Sequence, residues 1–242
     1  MHLFLRASAR RGLGALLGAA GIQGALGCNT ITGVDALRFE PCAPSFTEST
    51  PTAAQGSDGG SAFEDDCPEG QVLVGLRGGV NGDVVSGISG LCGVVQVSET
   101  YPFAVTITPG TAMLGVHGVM SSEEPEARMC PPNEMVVGFS GSTFLYDPGN
   151  PRPILLRVSL LCAPVLVDGT AAAPALSLGE ATGTPSLGGA DGQGDSFEPI
   201  HCPENQVARV LQGRSGLLVD ALALGCAELS LSCPWAPAAS EE

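Results

Sequence analysis

The residues able to do chemistry are few, and most of them are cysteines. The chain carries nine cysteines, three histidines, 25 acids and ten cations, and every cation is an arginine. Without lysine there is no Schiff base, no phosphate-loop lysine and no lysine general base. Only His117 and His201 lie beyond the N-terminal leader described below. His201 stands beside Cys202, but no CxxC spacing accompanies it to build a zinc site. A Ser/His/Asp mechanism needs a histidine held between two partners, and no segment resembles a nucleophile elbow, so no catalytic residue is assigned. Carboxylates gather in two turn regions, with Asp58, Glu64, Asp65 and Asp66 in one and Asp191, Asp195 and Glu198 in the other. Hard cations take several oxygens from flexible loops, which makes Asp58, Asp65, Asp191 and Asp195 candidate calcium ligands. Their spacing matches no established calcium loop, and solvated turn acids are the simpler account. No other cofactor is implied.

The charge balance excludes one class of partner. Removing a leader that contains Arg6, Arg10 and Arg11 leaves seven arginines to oppose the 25 acids. Nucleic-acid affinity comes largely from clustered cations that neutralise phosphates, and this chain has no such cluster. Anionic lipid head groups are disfavoured for the same reason, so contact with a membrane is expected only through a lipid anchor.

Residues 1–27 read as a signal peptide. A basic start is followed by GLGALLGAAGIQGALG, which is too short to span a membrane. The stretch ends ALGC at Cys28, which resembles a bacterial lipobox, although Ala25 stands where leucine is usual. Cysteine arithmetic agrees with lipidation of Cys28: nine is odd, and assigning one to lipid leaves eight for disulfides. Residues 28–33 then form a tether. Asn29 after the cysteine points to an outer-membrane or cell-surface lipoprotein. The alternative is a secreted form cleaved near Ala25.

The elements that must position these residues come from an internal repeat. Cys-Pro followed by an apolar run ending in Gly occurs at Cys67 (CPEGQVLVGLRG), Cys130 (CPPNEMVVGFSG) and Cys202 (CPENQVARVLQG). The apolar sets Val72, Val74, Leu76 and Met135, Val137, Phe139 have the period of two expected of a strand with one buried face. In the third copy Arg209 interrupts the set. Closing segments end on Cys92 (VSGISGLC), Cys162 (LLRVSLLC) and Cys226 (VDALALGC), with Ile88, Val158 and Leu222 four residues before each cysteine. The turn formers GGVNGD, DPGNPRP and GRSG separate the halves. Units 67–92, 130–162 and 202–226 are therefore expected to be hairpins.

A hairpin brings its ends together, so the repeat pairs Cys67 with Cys92, Cys130 with Cys162 and Cys202 with Cys226. Eight cysteines allow 105 pairings, and the repeat alone selects among them. Cys42 reads as a closing half without its opening, because VDALRFEPC repeats the VDAL of Val219–Leu222 with a one-residue slip. Cys233, followed by Pro234, reads as an opening half without its closing. Their pairing would join the N- and C-terminal strands. Between units, VVQV and FAVTITPG read as two further strands, and roughly 169–195 reads as loop. Asp35 and Asp220 in the VDAL segments are expected to bond turn or neighbouring-strand amides.

The unit CPEGxxxxGL, an Asn/Asp turn and VSGIxxLC resembles the repeat of the vitelline membrane outer layer protein family. Cys67, Pro68, Gly70, Gly75, Asp83, Gly87, Ile88 and Cys92 match that pattern position by position, and the other two units match more loosely. The resemblance implies an all-β, disulfide-stapled β-prism of three Greek-key sheets with pseudo-threefold repeats over 34–235, followed by a tail at 236–242. It also implies carbohydrate as the most natural ligand of an exported, non-catalytic cell-envelope module, structural or glycan-binding. The alternative it implies is a glycan-modifying enzyme resembling an N-acetylglucosamine-oligomer transferase. The chain departs from the family in having one tryptophan, Trp235, and 5% aromatics. Few aromatic faces are thus on offer for sugar rings, and no short sugar-binding loop motif is apparent.

Overall fold

The computed structural model describes residues 42–99, 101–120, 125–146, 151–170 and 173–233. The expected signal peptide, the Cys28 tether, Asp35, Trp235 and the 236–242 tail lie outside them. Among the described residues the regular structure is entirely β. In chain order the strands are β1 (Ala43–Phe46), β2 (Thr50–Pro51), β3 (Gln55–Gly56), β4 (Ser61–Asp66), β5 (Gln71–Asn81), β6 (Val84–Val97), β7 (Val105–Met113), β8 (His117–Gly118) and β9 (Glu126–Met129). They continue as β10 (Glu134–Leu145), β11 (Pro153–Thr170), β12 (Ala173–Leu178), β13 (Thr182–Gly183), β14 (Leu187–Gly188), β15 (Asp195–His201), β16 (Gln206–Ser215) and β17 (Val219–Ser232).

The three expected hairpins are β5/β6, β10/β11 and β16/β17, each antiparallel. Each is the centre of one sheet. The sheets run β7-β6-β5-β9, β12-β11-β10-β15 and β1-β17-β16-β4, and the short strands pair with the second strand of each hairpin: β8 with β6, β13 and β14 with β11, and β2 and β3 with β17. In the first two, the third strand folds back on the hairpin and the fourth returns beside its first strand, which is a Greek key. The last sheet has the same order, but its third and fourth strands come from the N-terminal segment. Leu76, Ile88, Phe139, Val158, Leu211 and Leu222, two from each hairpin, meet in one buried cluster. Three Greek-key sheets packed on a common core around a pseudo-threefold repeat make a β-prism.

Each unit is locked to the next by a bulge. The ladder skips Val74 in β5, Val137 in β10 and Arg209 in β16, all seven residues after an opening cysteine. A bulged residue leaves its own ladder, so its carbonyl needs another donor. The donor is the N–H of the cysteine that opens the following repeat: Cys130 to Val74 (2.8 Å), Cys202 to Val137 (2.8 Å) and Cys67 to Arg209 (2.9 Å). The Cys-Pro turns that follow are also equivalent. Gly70, Asn133 and Asn205 all have φ near +60 to +70°, and Gln71, Glu134 and Gln206 each donate back to the carbonyl of the turn proline. A turn with positive φ at its third residue favours Gly or Asn there.

These bulges correct the expected face assignment. An extra residue reverses the alternation, so Leu76 joins Leu73 in the central cluster while Val72 and Val74 join a second one. Met135 and Val137 part from Phe139 in the same way. Other boundaries also differ from expectation. VVQV is not a separate strand, because β6 runs on past Cys92 to Val97. The third turn is Gly216–Leu218, since Arg214 and Ser215 continue β16 by pairing with β4. The segment expected to be loop holds β12, β13 and β14, an edge in short pieces: Pro174 sits within the edge strand β12, where proline is tolerated, and Pro185 lies in the gap between β13 and β14.

Four disulfides staple the prism: Cys67–Cys92, Cys130–Cys162, Cys202–Cys226 and Cys42–Cys233. The first three each close one hairpin. The fourth has a different place from the half-repeat expected for it. Cys233 follows β17 and Cys42 precedes β1, with Ala43 opposite Ser232. In the other two sheets this junction, Val97 opposite Val105 and Thr170 opposite Ala173, is spanned by the chain itself. The Cys42–Cys233 bond therefore replaces a hairpin turn that the third sheet lacks because its strands come from opposite ends of the sequence.

Candidate functional site

A second set of bulges lies near the hairpin tips. The ladder skips Ser86 in β6, Leu156 in β11 and Asp220 in β17. Their carbonyls accept from an edge segment: Val119 N–H to Ser86 (2.7 Å), Gly189 N–H to Leu156 (3.1 Å) and Ser57 N–H to Asp220 (2.9 Å). Gly118, Gly188 and Gly56 precede those donors. All three have positive φ, and a Cβ there would lie 2.0–2.2 Å from the bulge carbonyl, so the approach admits only glycine.

Each such bulge floors a cleft roofed by the tip of a neighbouring hairpin. One cleft, of about 400 Å³, has Leu156 with Gln193 and Gly194 from the edge segment and Asp83 and Val84 from the β5/β6 tip. Another, of about 450 Å³, has Ser86 with Val119 and, from the β16/β17 tip, Leu217 and Leu218. The remaining one, of about 330 Å³, has Asp220 with Gly60, Gly216 and Leu217, and Tyr146 and Arg152 from the β10/β11 tip. One architecture thus occurs three times with an apolar, a hydroxyl and a carboxylate floor.

The Asp220 cleft is the one built around a charge. Burial raises the carboxyl above its ordinary value of 3.8, and the Gly216 N–H and the Arg152 and Arg214 guanidiniums offset this in part. Gly59 and Gly60 keep the group open: a Cβ on either would stand 2.6 Å from a carboxylate oxygen. Arg214 braces that loop, its Nε donating to the Gly59 carbonyl and an Nη to that of Gly60, both at 2.8 Å. The exposed apolar rim is Tyr146, 62% accessible, and Leu217, 80% accessible. The cleft therefore offers a fixed acceptor, a cationic donor in Arg152 and apolar surface beside them. The expectation that Asp220 bonds a turn amide holds for Gly216.

The residues singled out for chemistry are not gathered together. Asp58 pairs with Arg152 at 3.9 Å, Asp65 accepts from His117 Nε2 at 2.7 Å, Asp191 pairs with Arg157, and Asp195 lies on β15 opposite Thr143. Among the described residues no group of three or more His, Cys, Asp or Glu side chains could hold a metal. His117 stacks on Phe63 with ring centroids 3.8 Å apart and ties β8 to β4 across two sheets, while His201 is exposed on β15.

The fold is that of a β-prism, and solved structures that resemble it are lectins. A mannose-binding lectin from Champedak is 14% identical with a TM-score of 0.47, covering 74% of this chain and 97% of its own. The artocarpin–mannotriose complex is 14% identical with a TM-score of 0.48, covering 74% and 98%. A mannose-specific jacalin-related lectin from Morus nigra, in complex with mannose, is 18% identical with a TM-score of 0.43, covering 74% and 95%. No protein-family model and no curated protein matches the chain.

Proposed function

We propose that the protein is a non-catalytic glycan-binding module of the cell envelope, exported and held at the outer membrane or cell surface by lipid on Cys28, and a relative of the vitelline membrane outer layer family. The observation that carries the binding reading is the Asp220 carboxylate, held open by glycines at the floor of a cleft with Arg152, Tyr146 and Leu217 on its walls. Saccharides present hydroxyls that donate to a carboxylate and accept from a guanidinium, with C–H faces that pack on aromatic and aliphatic side chains. Asp220 is the one acid among the described residues lining the cleft, whereas glycoside chemistry generally uses two flanking carboxylates. Export and the anchor rest on the basic, apolar leader and on cysteine use: the four disulfides take eight of nine cysteines, and the ninth is Cys28. The Cys67–Cys92 motif supports the family relation.

A glycan array that includes mannose, mannotriose and chito-oligosaccharides tests the reading, with Asp220→Asn as the site control. Binding that disappears in this variant is expected. Binding that survives it, or no binding at all, would overturn the assignment, and transfer or hydrolysis products from chito-oligosaccharides would replace it with an enzyme. Mass spectrometry of the mature N-terminus should find Cys28 lipid-modified; an unmodified Cys28 removes the anchor.

A further inference from the structure

Two of the three equivalent clefts are joined. Tyr146, Leu217 and Leu218 line both the Asp220 cleft and the Ser86 cleft, so the loop between β16 and β17 is a wall common to both. The Leu156 cleft shares none of these three residues. The Ser86 side of the wall is largely apolar, with Val80 and Val119. Beneath it Ser86 is 3% exposed, and its hydroxyl has no hydrogen-bonding partner among the described residues. A buried hydroxyl left unpaired costs about 1–3 kcal/mol, so this is a position where a ligand group would restore a lost bond. Ser86 also occupies in its sheet the bulge position that Asp220 occupies in its own.

We infer that the Ser86 cleft is a second saccharide subsite, and that the ligand is an oligosaccharide of at least two residues crossing the Leu217–Leu218 wall. This rests on the reading of the Asp220 cleft as a saccharide site. One sugar hydrogen-bonds Asp220 and Arg152. Its neighbour lays an apolar face on Val119 and Leu217 and exchanges a hydrogen bond with the Ser86 hydroxyl. The two clefts, about 330 and 450 Å³, are each of the size of small-ligand pockets. Recognition is split by chemistry: the Asp220 end supplies charge and so fixes the first residue, and the Ser86 end supplies apolar contact with one hydroxyl and so selects for chain length.

The test is calorimetric titration of the full chain with two matched pairs, mannose with mannotriose and N-acetylglucosamine with chitotriose. The expected result is that, for the pair that binds, the trisaccharide binds at least tenfold more tightly. Ser86→Ala should remove roughly three- to tenfold of trisaccharide affinity, the worth of one hydrogen bond, and leave monosaccharide affinity unchanged. Leu217→Ala, at a position 80% exposed, should reduce the trisaccharide's advantage as well. Equal affinities within each pair, or a Ser86→Ala variant that keeps the full trisaccharide advantage, would overturn the second subsite while leaving the Asp220 site standing. Absence of binding by all four sugars would overturn both together.

Discussion

Arg209 interrupts an apolar position that the other two repeats fill with Val74 and Val137, which are 3% and 7% exposed. Symmetry would suggest that Arg209→Val is harmless or stabilising, but the contacts of Arg209 say otherwise. Its Nε donates to the Gln71 carbonyl at 3.1 Å, and an Nη donates to the Cys67 carbonyl at 3.1 Å and more weakly to that of Pro68 at 3.4 Å. The guanidinium also lies 4.6 Å from the centre of the Phe46 ring. Two part-buried, charge-assisted bonds contribute about 1.5 kcal/mol each at the low end of their range. The contact with Phe46 adds about 0.5–1 kcal/mol. Burying a valine in exchange returns roughly 1–1.5 kcal/mol. Arg209→Val should therefore destabilise by about 2–3 kcal/mol, and Arg209→Ala, which returns less, by about 3–4 kcal/mol. For a domain of this size these are falls in Tm of roughly 4–12 °C for Arg209→Val and roughly 6–16 °C for Arg209→Ala.

The assay is scanning calorimetry and guanidinium unfolding with the disulfides intact, on wild type, Arg209→Val, Arg209→Ala and Arg209→Lys. Lysine keeps the charge but not the planar fork, and should fall between wild type and valine. Arg209→Val with wild-type stability would refute the reasoning: it would mean that the Gln71 and Cys67 carbonyls are satisfied equally well by water, and that the third repeat can adopt the apolar solution of the other two.

Acidification should weaken saccharide binding as Asp220 is protonated. Because burial raises this carboxyl, the loss begins at a higher pH than an ordinary aspartate near 3.8 would give, which a titration series from neutral to acid pH measures directly. The stability effect has the opposite sign. A raised carboxylate pKa means that ionisation costs stability above the folded-state value, and this cost vanishes below 3.8, so Asp220→Asn should be no less stable than wild type at neutral pH, with the difference shrinking in acid. Replacing Cys42 and Cys233 together by serine should cost about 2–4 kcal/mol, less than the ~5 kcal/mol that the open 191-residue separation would give, because the other disulfides already shorten that loop. Hydrogen exchange should quicken selectively in β1 and the end of β17 in that variant; uniform loosening of all three sheets would show that the bond does more than replace a turn.

The hairpins were legible because each is marked by residues with strong local preferences: Cys-Pro, a position taken by Gly70, Asn133 or Asn205, and a Gly- or Pro-rich tip. The bulges were not legible, since what a bulge uses is a backbone carbonyl. Val74, Val137 and Arg209 share a structural role but no side-chain chemistry, and neither do Ser86, Leu156 and Asp220. Missing them placed Leu76 and Phe139 on the wrong face and hid the glycines at 56, 118 and 188 as a repeat of their own. The Asp220 cleft was out of reach for a further reason. Gly60, Tyr146 with Arg152, and Gly216 with Asp220 come from three distant parts of the chain: Gly60 arrives because the N-terminal strands complete the C-terminal sheet, and Tyr146 and Arg152 come from the tip of a hairpin in another sheet.

That separation of roles has a functional consequence. At each tip bulge the carbonyl carries the fold, through Val119, Gly189 or Ser57, and the side chain is left to vary. Leu156 shows that the same backbone tolerates an apolar floor, and Ser86 shows that it tolerates a hydroxyl. Folding therefore does not require a carboxylate at residue 220, and by desolvation it is the costliest of the three choices. Arg214 bracing the Gly59 and Gly60 carbonyls, and glycines where any Cβ would collide with the carboxylate, are features that serve to present that group. A residue that costs stability and is surrounded by residues shaped to expose it fits the binding role proposed for it.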